Sequence, residues 1–342
     1  MAAEAWRPID REVYEGEIAP WLPARLYDCH AHLGLARHCG PISPERLRAN
    51  WAMEVGSAQS WARLRGRYRL LFPGRQVQVL AFGGVFREID LEANNAYVLA
   101  GAGRRENRAC ALMVTAPDWD PERIARGLAQ GCRGIKPYPD LAPMGGEQAR
   151  IADFLPAGHL RVLDQVGGVL MLHLPRPGRL ADPENVRDLL ELNDRYPRIK
   201  LIVAHLGRAF CLPTAQRGLP PFADRPGVHF DLAAHLNSEV FAFALELLGP
   251  DRLLFGSDLP ITMMRGEREH RGEVYVNYTD APYSWNTNRK SPAQEARYTC
   301  FLYQELRALV AALGKCGMGR EEMAKIMFGN CARLVGVPGE GG

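Results

Sequence analysis

Short apolar runs alternate along most of the chain with stretches of helical spacing, the pattern of repeated parallel β-α-β units. The runs fall at about Arg25–His32, Gln76–Phe82, Ala109–Thr115, Cys132–Tyr138, Gly168–Leu174, Lys200–His205, Val228–Leu232 and Arg252–Asp258. Between the third and fourth, Asp120 stands as an N-cap with Pro121 at the first helical position. Asp182-Pro183-Glu184 opens another helix, which ends near Tyr196-Pro197. Eight such strands with helical crossovers predict an α/β fold, a (β/α)8 TIM barrel whose active site lies where the strands end.

Two connections are too long for simple loops, and they predict insertions after strands 1 and 8. The first, about 35–75, is rich in Arg and Trp (Trp51, Trp61, Arg63, Arg65, Arg67, Arg69). The second, about 259–291, carries Arg265, His270, Arg271, Tyr275, Tyr278, Tyr283 and Trp285. Lids or subunit contacts are one reading of them, and decoration with solvated charges is the other. Two closing helices, about Pro292–Leu313 and Arg320–Val335, are expected to cover the outside of the barrel. Residues 1–24 then form an N-terminal extension to a barrel over 25–342, with no internal repeat.

Composition narrows the class. The chain of 342 residues is 47% hydrophobic, enough for a large core. Its net charge of +3, with acids and bases interspersed, implies no nucleic-acid surface. Eight cysteines without a CxxC pair suggest reduced thiols, not a disulfide frame. Charges break the stretch from Met1 to Pro23, and no later run approaches the roughly 20 apolar residues of a membrane span. A cytoplasmic enzyme with a small-molecule substrate, without membrane or nucleic-acid partner and assembled as a homodimer, is the expectation.

Candidate chemistry begins at Asp28-Cys29-His30-Ala31-His32-Leu33-Gly34. On a strand the side-chain period is two, so Asp28, His30 and His32 are expected on one face, the imidazoles forming a clip for a divalent metal. Asp28 would then orient a ligand from behind. Further polar residues end later strands: Lys136, His173, His205, Asp231 and Asp258. Singly, each is more simply a core histidine, a surface lysine or an N-cap. In a barrel, all of these positions meet at one mouth. Arg176 and Arg208, each three residues past a strand-end histidine, are natural carboxylate clamps. Surface salt bridges are their plainer reading.

Together DCHAH, GIKPY, LHL, AHLG, FGSDLP and MFGNCARLV resemble the metal-dependent amidohydrolase superfamily, most closely its aminocarboxymuconate-semialdehyde decarboxylase-like branch. The similarity spans Asp28 to Val335. It implies that His30, His32, His173 and Asp258 bind a divalent ion, zinc first and manganese or another divalent ion next. Asp258 and His205 would be catalytic, and Lys136, Arg176 and Arg208 would bind substrate. One ion is expected, two if Lys136 is carboxylated. The implied activity is hydrolysis of a C–N or C–O bond in a small carboxylated substrate. Non-oxidative decarboxylation or hydration of an aromatic or unsaturated acid is the alternative. A pyrone-dicarboxylate-type lactonase needing little metal and a barrel without catalysis stand further off.

Overall fold

The computed structural model describes residues 6–56, 58–146 and 148–337. Residues 1–5 and 338–342 and the side chain of Trp51 lie outside the described residues. Eight strands pair in sequence order, each parallel to the next. They are β1 (Arg25–His32), β2 (Gln76–Phe82), β3 (Ala109–Thr115), β4 (Gly134–Pro137), β5 (Val169–Leu172), β6 (Lys200–Val203), β7 (Val228–Asp231) and β8 (Leu253–Leu254). Closure comes from the segment after β8. Cys29 N–H donates to Phe255 C=O (2.9 Å), Asp258 N–H to His30 C=O (2.8 Å) and His32 N–H to Leu259 C=O (2.8 Å).

Eight helices wrap this cylinder: α1 (Trp61–Leu71), α2 (Leu91–Ala102), α3 (Pro121–Ala129), α4 (Ala157–Val166), α5 (Pro183–Arg195), α6 (Leu212–Gly218), α7 (Ser238–Leu248) and α8 (Phe301–Lys315). Their starts are written in the sequence. Asp120 accepts the Glu122 N–H, Asp182 the Glu184 N–H and Asn237 the Glu239 N–H, each cap contributing about 1 kcal/mol. Apolar side chains fill two layers. Tyr27, Leu80, Phe82, Leu112, Val114, Met171, Ile202 and Leu254 pack inside the cylinder, while Leu26, Val79, Ala81, Leu170 and Leu172 face the helices. Among the described residues, no helix is long and apolar enough to cross a membrane.

Two expectations need correction. β5, β6 and β8 are shorter than their apolar runs, because His173, His205 and Asp258 leave the ladder to enter the mouth, whereas β4 is trimmed at both ends and keeps Lys136 paired with Val114. The helix expected over Pro292–Leu313 is two, Pro292–Glu295 and α8, because Cys300 bridges to Arg265 and the Phe301 N–H bonds the Met264 carbonyl. The connection over 35–75 holds two short helices, Pro44–Ala49 and Trp51–Gly56, before α1. That over 259–291 carries an antiparallel ribbon, β9 (Gly266–Arg271) and β10 (Val274–Thr279).

Candidate metal centre and active site

The clip on β1 is built by a bulge. The register against β2 shifts between Asp28 and Ala31, so Cys29 and His30 together oppose one residue of β2. That extra residue breaks the period of two. Asp28 turns away from the imidazoles and accepts hydrogen bonds from Tyr68 Oη on α1 (2.7 Å), the Ser257 hydroxyl, the Ser257 N–H (2.8 Å) and the His30 N–H (3.0 Å). The shared face expected from alternation is thus replaced by a strut. From the outer layer, Asp28 pins the backbone beside His30 and beside Asp258. Burial raises its pKa to about 6, the four donors working against that rise.

Each of three imidazoles has one ring nitrogen committed to a fixed acceptor. His30 Nδ1–H donates to Asp231 Oδ2 (2.9 Å), His32 Nδ1–H to the Gly83 carbonyl (3.2 Å) and His205 Nδ1–H to the Ala233 carbonyl (2.9 Å). These acceptors set the tautomer, leaving every Nε2 with a lone pair toward the mouth. Burial, aided by the Lys136 charge, holds His30 well below the ordinary imidazole pKa. Burial and the neighbouring His205 do the same for His173. Neutral rings are what a metal ion requires.

Asp231, which ends β7, ties this array together although the motifs assign it no task. Oδ2 holds His30, while Oδ1 accepts the His205 N–H (2.8 Å) and the Ala233 N–H (3.1 Å). From His205 to Arg208 the chain makes a left-handed turn, with φ of 55°, 47°, 63° and 62°. That costs about 1–2 kcal/mol for each non-glycine residue and persists where the surroundings over-determine it. Gly207 is glycine for a second reason, since a Cβ there would stand 2.8 Å from Leu180 Cβ. Asp231→Asn is expected to weaken zinc binding about 10–100-fold, because an amide holds His30 Nδ1–H less firmly. Competition with a chelating dye measures it.

Asp258 completes the cluster. Its Oδ1 lies 3.3 Å from His32 Nε2 and 3.6 Å from His30 Nε2. Donor atoms of His30, His205 and Asp258 all lie within 4.8 Å of one another. Among the described residues, neither Asp258 Oδ1 nor His30 Nε2 has a hydrogen-bond partner, and both are buried. Two lone-pair nitrogens facing a carboxylate oxygen repel it unless a cation sits among them. The donor set fits a divalent ion. Burial alone would raise the Asp258 pKa, but a hydrogen bond from His32 and positive charge on the facing rings of His205, His30 and His32 bring it down to about 2 in the metal-free protein, a part that a bound cation would take over. His173 stands beside the cluster, its ring 4.8 Å from that of His205 and 4.9 Å from that of Tyr138. Lys136 lies below, fully buried, its Nζ 4.9 Å from the Phe82 ring and without a hydrogen bond among the described residues. Burial lowers its pKa to about 8, against the pull of Asp231 and Asp258.

Above the cluster opens a cavity of about 650 Å³, lined by His32, His173, His205 and Asp258, by Phe86, Tyr138, Phe210 and Tyr275, and by Arg46, Arg87, Arg179 and Arg208. Arg46 is tied to Glu88 (2.7 Å) and Asp140 (2.8 Å), which joins the connection after β1 to the loops after β2 and β4. Arg208 has no carboxylate partner among the described residues. Arg176 is placed differently. Its guanidinium pairs with Asp182 and Glu184 (both 3.0 Å) at the start of α5, and it does not line the cavity.

A (β/α)8 barrel with histidines and an aspartate converging at its C-terminal mouth is the architecture of metal-dependent barrel enzymes. The amidohydrolase family profile matches residues 27–337, and the chain belongs to that family of enzymes. It resembles an amidohydrolase from Burkholderia multivorans with bound zinc, at 16% identity over 92% of this chain and 100% of that one (TM-score 0.60). It also resembles a probable 2-pyrone-4,6-dicarboxylic acid hydrolase from Acinetobacter baumannii with citric acid bound (14% identity, 91% and 99% covered, TM-score 0.57). A third likeness is 5-carboxyvanillate decarboxylase from Novosphingobium aromaticivorans, with manganese and a nitrobenzoic acid (14% identity, 91% and 95% covered, TM-score 0.55). A curated relative, a probable dihydroorotase of Schizosaccharomyces pombe, is 27% identical over 101 residues, and the match spans 27% of this chain and 29% of that protein.

Proposed function

We propose that the chain is a metal-dependent hydrolase that activates water to cleave a C–N or C–O bond in a small carboxylated molecule. The observation that carries this reading is the buried Asp258 Oδ1, without a hydrogen bond, facing the lone pairs of His30 and His32. His30, His32, His173 and Asp258 hold one divalent ion, zinc by the imidazole-rich donor set, with manganese next. A divalent ion bound there polarises a substrate oxygen and brings the pKa of water toward neutrality. A second ion would need carboxylated Lys136.

The remaining work falls to side chains. Asp258, ionised at neutral pH, takes a proton from water and returns it to the leaving group. With Nδ1–H committed to Ala233, neutral His205 offers a lone pair, so it donates to substrate only after taking up a proton. It therefore shares the proton traffic with Asp258. Arg208 offers its guanidinium to a substrate carboxylate, and Lys136 adds positive charge beneath.

One observation favours decarboxylation of an aromatic acid as the second reading: four aromatic side chains, Phe86, Tyr138, Phe210 and Tyr275, line the cavity and suit a planar substrate. Incubating the zinc- or manganese-loaded protein with carboxylated lactones, amides and aromatic acids in heavy-oxygen water separates the two. Hydrolysis puts the label into product. CO2 release without label supports the lyase, and activity that survives thorough chelation contradicts both.

A further inference from the structure

One buried side chain fastens the ribbon after β8 to the barrel mouth. Arg268 on β9 is only 8% exposed, although neighbouring ribbon residues Arg271, Val274 and Tyr275 are open to solvent. Its Nε donates to Asn277 Oδ1 on β10 (2.8 Å), and a terminal nitrogen donates to the Ala234 carbonyl (2.9 Å). The guanidinium carbon lies 4.7 Å from the Phe210 ring centroid and 4.5 Å from that of Tyr275. Both rings line the cavity. No carboxylate pairs with Arg268 among the described residues. A desolvated cation without a counter-charge is costly, so its geometry has to supply the reason for its presence.

That reason lies one residue from the site. Ala234 has a φ of 58°, a conformation an alanine adopts only when held. It is held from two sides, its N–H by the Glu305 carboxylate of α8 (2.8 Å) and its carbonyl by Arg268. The preceding residue, Ala233, donates its N–H to Asp231 and accepts the Nδ1–H of His205. We propose that Arg268 is a positioning residue: through Ala233–Ala234 it aims His205 Nε2 into the donor cluster, and through stacking it fixes the wall formed by Phe210 and Tyr275. The ribbon is then part of the active site. Arginine suits the task because a planar fork bonds along its edge and stacks on its faces, which an ammonium does not.

This inference rests on the metal reading of the site, and one experiment on the full chain separates the two. Wild type, Arg268→Met and Arg268→Lys are titrated with zinc against a chelating dye, and the visible spectra of their cobalt(II) forms are recorded well below each melting temperature. His205 stands within reach of His30 and Asp258, so a shifted ring changes the field at the ion whether it ligates or hydrogen-bonds. Arg268→Met is expected to bind zinc about tenfold more weakly, with altered cobalt bands, and Arg268→Lys to lose nearly as much. Zinc affinity within about twofold of wild type and an unchanged cobalt spectrum, with only the melting temperature lowered, would show a merely structural role and overturn the proposal. Should Arg268→Met not fold, Arg268→Lys, which keeps the charge, decides on the same readouts. A wild type that takes up neither ion removes the metal reading and this inference together; uptake by wild type with unaffected variants removes this inference alone.

Discussion

Asp258→Asn is expected to lose turnover by about a thousandfold and to bind metal weakly, while the barrel still folds. Asparagine is nearly isosteric and tolerates positive φ better than most residues, so the backbone at φ 51° and the Asp258 N–H bond to the His30 carbonyl survive. What disappears is the negative charge facing His30 and His32, and with it the group that accepts and returns the proton. Far-ultraviolet circular dichroism checks the fold, metal analysis the occupancy, and kinetics on a substrate from the panel the turnover. Activity within a few-fold of wild type, with metal retained, would remove Asp258 from the site.

Lys136→Met is expected to change stability and to decide the number of ions. In the metal-free protein the Lys136 pKa is lowered by burial to about 8 from 10.5. Below pH 8 the folded chain therefore carries a charged, buried amine that an unfolded chain would keep in water. The penalty is full there and fades as pH rises from about 8 toward 10.5, where both states become neutral. At 1.36 kcal/mol per pKa unit, methionine at this position is expected to stabilise the chelated protein by about 3 kcal/mol at pH 7, and by little at pH 11. Chemical denaturation at the two pH values measures it, and equal gains at both would contradict a buried charge. The same variant, metal-loaded, should keep one ion per chain. A fall from two to one would establish a carboxylated lysine bridging two ions.

The sequence disclosed the barrel because short, mainly apolar runs recur eight times between stretches of helical spacing. β1, β2 and β3 begin and end where the pattern places them, and Asp120 and Asp182 cap the helices they announce. Strand alternation failed at Asp28, since a bulge is a property of pairing between two strands and leaves no trace in one. The helix break before Phe301 is equally non-local, set by the bridge from Cys300 back to Arg265. At the candidate site, His30, His205 and Asp258, which the fold brings together, and His32 and His173 beside them stood out because each lies toward the end of an apolar run. Asp231 was visible at the end of β7, but its work in holding His30 and His205 depends on three-dimensional neighbours. The cationic rim was harder. Arg176 and Arg208 occupy equivalent places after their strands, yet Asp182 and Glu184 draw Arg176 aside. Arg268 carried no signal at all, for an arginine in Gly-Glu-Arg-Glu-His-Arg reads as a solvated charge.

In the proposed site His30, His32 and Asp258 face one another across a cation. Anomalous diffraction at the zinc absorption edge, on crystals grown or soaked with zinc, tests it most directly. An anomalous peak is expected in contact with the Nε2 atoms of His30 and His32 and with the Asp258 carboxylate. No peak at that mouth, with the three side chains in place and zinc bound elsewhere or nowhere, would contradict it.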